Sequence, residues 1–230
     1  MREAKRYENF IGGAEGTEFE WDIFGAVDTK NPEYQKELKK VVKPNGFVFF
    51  RDALKLVKKF QPGDPRNPER AFARDLRIEI IDQLGLTEEK DMDRIKFYTA
   101  IGTPLDKWHS IDGFFEIDMR FAHRGHTRTE RGHTQKYIEI PEREQRNGAP
   151  IIITLEASTI TQEQKRERGQ EIKADIFITD KEIGLENEEE LGEKIKSVAK
   201  EIVNIFKAKE EQISKKGALE GKYNLPGQTL

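Results

Sequence analysis

The 230-residue chain has no cysteine, which removes disulfides, zinc fingers, thiolate metal sites and cysteine nucleophiles together. It also lacks any run of about 18 apolar residues, the length a membrane-spanning helix needs. Its start, MREAKRYENF, carries charges with no apolar stretch behind them, so no secretory leader is expected and the chain reads as soluble and cytoplasmic. Strong net charge is missing too: 40 Lys and Arg stand against 43 Asp and Glu, a balance of −3. That sum neither demands nor forbids a nucleic-acid partner, because local clustering of cations decides contact with phosphates. The hydrophobic fraction, 35%, barely matches the charged fraction of 36%, but 14 Phe and clear apolar periodicity argue for a folded domain.

What is present sorts into three parts. Residues 1–62 read as an N-terminal appendage, with a helix in PEYQKELKKVV, a turn at KPNG and an apolar patch FVFF leading into DALKLVKKF. The stretch QPGDPRNPE, with three prolines and a glycine, marks the boundary to a main unit over 63–213. There ERAFARDLRIEIIDQLG, entered through Pro68 and closed by Gly85, places Phe72, Ala73, Leu76, Ile80 and Leu84 at helical spacing. Strands follow in DRIKFYTAIG, DGFFEIDM and APIIITLEA, then a short helix in TQEQKRERG, a strand in KADIFIT and a long closing helix from EEELGEKIKSV onward. The expected order is α-β-β-β-α-β-α in an α/β protein with a central mixed sheet flanked by helices, with a loosely ordered tail over 214–230.

Two of these strands carry acids where alternation gives them no reason to be. In HSIDGFFEIDM the odd positions Gly113, Phe115, Ile117 and Met119 form the core face, and Asp112 falls on the other. In IIITLEAST the odd positions are apolar again, and Glu156 interrupts the opposite face. Were the strands antiparallel neighbours, Asp112 at the start of one would meet Glu156 at the end of the other. Close like charges repel, and a bound cation is the usual explanation; oxygen ligands suit Mg²⁺ or Mn²⁺. Glu69 extends the helix stripe backwards by one turn and would aim a third carboxylate at the sheet. The plainer alternatives are that Asp112-Gly113 is turn chemistry and that Glu69 is an acid favoured by a helix start. The segment QKYIEI, 135–140, also alternates, and as an intervening strand it would send Asp112 and Glu156 to opposite ends of the sheet.

With these residues the chain resembles the PD-(D/E)XK nuclease-like superfamily: NPERAFARDL resembles its helix with the Glu, HSIDGFFEI its Asp strand, and ITLEASTITQEQK with KADIFIT its catalytic strand, helix and following strand. The resemblance covers about Pro68 to Phe206. It implies a Mg²⁺- or Mn²⁺-dependent nuclease, endo- or exonucleolytic, acting on DNA, with Glu69, Asp112 and Glu156 as metal ligands. The family's lysine two positions after the strand acid is replaced here by Ser158. Some branches of the family supply it from the neighbouring helix, which makes Lys165 the substitute and Lys173 the second choice. Its task would be to orient the attacking water and stabilise charge on the phosphate.

All four histidines fall between residues 109 and 133. The three in HRGHTRTERGHTQK keep no single helical or strand register, so they are not read as a metal site. His109, three residues before Asp112, is a secondary candidate for the catalytic set. Between Arg120 and Lys136, within the expected insertion 120–149, Arg120, Arg124, Arg128, Arg131 and Lys136 face one acid, Glu130. They are the candidate phosphate contacts, or else a solvated tip. Two other classes remain open: an inactive nuclease-like module that binds nucleic acid or protein, and a structural protein without nucleic-acid contact.

Overall fold

A computed structural model describes residues 14–118, 150–180 and 188–216. Helices α1 (Ala14–Phe24), α2 (Pro32–Val41), α3 (Phe50–Lys59), α4 (Ala71–Gln83) and α5 (Glu89–Met92) precede strand β1 (Ile95–Thr99). Then come α6 (Pro104–His109), β2 (Gly113–Ile117), β3 (Ile151–Ser158), α7 (Gln162–Glu167), β4 (Ile176–Thr179) and α8 (Glu188–Lys216). The four strands form one mixed sheet in the order β1-β2-β3-β4, the first three as an antiparallel meander and β4 parallel to β3. The expected α/β class and helix-flanked mixed sheet are therefore present. QKYIEI lies outside the described residues, and β2 and β3 pair directly.

Both faces of the sheet are covered. On one, Phe97, Phe115, Ile117, Ile153, Leu155 and Ile178 pack with Phe72, Leu76 and Ile80 of α4, with Ala199, Ile202 and Phe206 of α8, and with Phe19, Ile23 and Phe24 of α1. On the other, Tyr98 and Phe114 pack with Ala53, Leu54 and Val57 of α3 and Leu105 of α6. This corrects the one-sided reading of the strands: the even face of β2 carries the wholly buried Phe114. Asp112 and Glu156 do not escape to solvent either, being 5% and 4% exposed.

The N-terminal segment is also more than an appendage. Besides filling both cores, it is tied to the sheet by the Val27 N–H donating to the Ile101 carbonyl and the Thr99 hydroxyl donating to the Gly25 carbonyl at 2.7 Å. The proline-rich stretch lies against β1 rather than parting two units, since Phe97 N–H donates to Pro65 O at 2.9 Å and Thr99 N–H to Gln61 Oε1 at 3.0 Å. Proline punctuation marks where a helix stops, and here the chain continues along its own domain.

Gly113 opens β2 opposite Thr99. A β-carbon there would lie 2.9 Å from Cζ of Phe97. The glycine after Asp112 thus makes room for a core ring rather than for a turn.

Candidate functional site

At the end of the sheet where β2 begins and β3 finishes, four carboxyl groups from four segments interact. Glu156 is the sixth residue of β3 and lies in register with Phe177 of β4. Asp112 precedes β2: its N–H donates to Leu155 O at 2.9 Å and its Oδ2 accepts from Ala157 N–H at 2.7 Å. It is therefore pinned to the residues on either side of Glu156. Asp106 belongs to α6, whose start is set by Thr103, accepting from Leu105 N–H, and by Pro104. Its Oδ2 accepts from Gly102 N–H at 2.8 Å. Glu20 comes from α1, whose Phe19, Ile23 and Phe24 seat that helix in the larger core.

The electrostatics show that these groups feel one another. Burial, then the charges of Asp106, Glu20 and Glu156, hold the Asp112 carboxyl well above the usual carboxylate range, against the hydrogen bond from Ala157. Burial pushes Glu20 up to about 8, with Asp106 and Glu156 adding and Lys165 opposing. Asp106 is raised to about 6, again chiefly by burial, with Glu156 adding. Burial also keeps Glu156 above its ordinary value, although Lys165 works in the other direction.

Lys165 joins the cluster from α7, a helix fixed by a reciprocal capping box between Thr161 and Gln164. Its ammonium donates to Glu156 Oε1 and stands 5.1 Å above the centre of the Phe177 ring. Lys173 is near enough for its charge to act on both Glu156 and His109.

As the side chains stand, no three His, Cys, Asp or Glu side chains among the described residues share a point suited to one metal ion. The cluster nonetheless offers oxygen donors only, and Glu156 Oε2 is buried without a hydrogen-bond partner. An unpartnered buried carboxylate oxygen among other carboxylates fits a hard divalent cation such as Mg²⁺ or Mn²⁺.

Of the residues singled out from sequence, Asp112, Glu156 and Lys165 are brought together. Glu69 is not. Helix α4 begins at Ala71 with Arg70 as its N-cap, so Glu69 is not on the helix stripe. Its exposed side chain rests against Gly63, with Oε1 3.0 Å from where a β-carbon there would sit. His109 stands aside from the carboxyls: its Nε2 pairs with the Val48 carbonyl at 3.0 Å and its ring packs on Phe47 and Phe50. Burial lowers its pKa. Arg120, Arg124, Arg128, Arg131 and Lys136 lie outside the described residues.

Glu20 and Asp106 were missed. The TPLD run, with Thr as N-cap, Pro at the first position and Asp in the first turn, is a helix-start signature that would have located Asp106. Glu20 was hidden because EFEWDIF alternates with period two, although Phe19 and Ile23 are four apart.

No family model, curated protein or solved structure matches this chain. Among the described residues no helix is long and apolar enough to cross a membrane.

Proposed function

We propose that this α/β protein is a Mg²⁺- or Mn²⁺-dependent phosphodiesterase acting on DNA, built on a PD-(D/E)XK-like core. The observation that carries the reading is the joining of Asp112, Glu156 and Lys165 at one sheet end, in a chain whose α4, β1, β2, β3, α7 and β4, with the short helices α5 and α6 interposed, are compatible with the family pattern. Glu20, on α1, takes the place first given to Glu69. Asp112 and Glu156 would hold the cation, with Asp106 and Glu20 completing the acidic wall. A divalent ion held there would supply Lewis acidity, polarising a phosphate and acidifying a water. Lys165, held between Glu156 and the Phe177 ring, presents an ammonium able to orient that water and meet charge growing on the phosphate oxygens.

A second reading is favoured by the same ion pair. A lysine neutralising Glu156 also suits a relative that holds DNA without cutting it.

A plasmid and oligonucleotide panel with Mg²⁺, Mn²⁺ or Ca²⁺ separates the two. Wild type is expected to cut with Mg²⁺ or Mn²⁺, Asp112→Asn and Glu156→Gln to be inactive, and Lys165→Ala to lose roughly 10² to 10⁴ in rate. Wild type that binds DNA but cuts nothing leaves only the inactive relative.

A further inference from the structure

The loop between α2 and α3 carries aromatic residues that core packing does not explain. In KPNGFVFF, Val48 is wholly buried and anchors the loop, whereas Phe49 is 52% exposed. The turn is closed by Gly46 N–H donating to Lys43 O and Lys43 N–H donating to Phe47 O, both at 2.8 Å. Gly46, at φ 82°, sits against the Trp108 ring. Phe47 bridges the two outer rings edge-on, 5.5 Å from Phe49 and 5.6 Å from Trp108. Lys43 holds its ammonium 4.9 Å over the Phe49 ring, and the exposed Lys107 adjoins Trp108 in sequence.

This surface shares a stretch of chain with two of the acids. Trp108 and His109 lie on the α6 segment between Asp106 and Asp112, Phe47 packs on both, and the charge of Lys173 reaches His109 as well as Glu156.

We propose that Phe47, Phe49 and Trp108, with Lys43 and Lys107, form a stacking platform for unpaired nucleotides beside the acid cluster, so that the substrate is a single strand or a strand end rather than intact duplex. The assignment rests on the nuclease reading for the class of ligand and adds the form of that ligand. An exposed ring has no such use against a paired duplex, whose bases are stacked on each other. An unpaired base offers a π-face to Phe49, and its phosphates complement the lysines, without any requirement on sequence.

The test is binding of a labelled 20-nucleotide oligothymidylate and of a duplex of the same length, by fluorescence anisotropy in EDTA. Wild type is expected to prefer the single strand. Phe49→Ala should weaken that binding roughly 10- to 100-fold, Phe49→Trp should retain it, and Lys43→Ala and Lys107→Ala should each lower the salt slope by about 0.7. Phe49 lies half in solvent, so its variants should melt as wild type does. Equal affinity of Phe49→Ala and wild type, or a preference for duplex, overturns the platform. Without metal, cleavage does not enter the readout. An enzyme that cuts DNA with Phe49→Ala binding as wild type keeps the nuclease and loses the platform, whereas single-strand binding that depends on Phe49 in a protein that never cuts keeps the platform and loses the nuclease.

Discussion

A carboxyl buried among other carboxyls keeps its proton longer folded than unfolded, so the cluster should tie the protein's stability to pH. Glu20 rises from 4.5 to about 8 and Asp106 from 3.8 to about 6, so between the unfolded and folded values the native state binds more protons. Their contribution to stability is therefore fully present below about pH 4 and is lost as pH rises through about 6 and then about 8. Melting temperature in EDTA should fall from pH 5 to pH 8. Glu20→Gln should be the more stable protein at pH 8 and show a flatter profile in the same scan. A structural acid satisfied by hydrogen bonds would behave in reverse. At Gly113 the prediction is steric: Gly113→Ala drives a methyl into the Phe97 ring and should cost about 1 to 3 kcal/mol in denaturant unfolding. Gly113 was legible as a core-face position of its strand or as a turn signal, but the ring it accommodates was not, because that ring lies on another strand.

Among the elements, the segment from α6 to β2 controls the site, since it carries both Asp106 and Asp112. Its joint is Ser110, at φ 54° and ψ 51°, whose N–H closes the helix on the Asp106 carbonyl at 2.9 Å. A left-handed non-glycine residue between two interacting acids is strained, and strain at such a place accompanies sites rather than scaffolds. Ser110→Gly should stabilise the fold by about 0.5 to 1 kcal/mol, measured by urea unfolding at pH 5, where Asp106 and Glu20 keep their protons. The strands, the α7 and α8 helices and α4 were all readable, because each has clean periodicity of its own. Helix α1 was not, as its acids and aromatics alternate like a strand, and the start of α4 was read about two residues early, which put Glu69 on a stripe it does not join.

At the scale of the molecule, burial on both faces of the sheet is what sequence alone concealed. Alternation in β2 implied a wet face for Asp112 and Glu116, yet α3 and α6 cover it, and Glu116 survives there by pairing with Lys58. The meeting of Asp112 with Glu156 followed from strand adjacency and was legible. The further carboxyls arrive from α1 and α6 through tertiary packing, which no local pattern encodes. Four carboxyls raised together by burial and mutual repulsion form a site whose protons a cation should displace.

Calorimetric titration of Mn²⁺ into the metal-free protein near pH 7, repeated in buffers of different ionisation enthalpy, tests that most directly. Saturable uptake with proton release, lost in both Asp112→Asn and Glu156→Gln, is the expected result. No uptake at millimolar Mn²⁺, or uptake undiminished in the two variants, would contradict a cation-dependent centre at this end of the sheet.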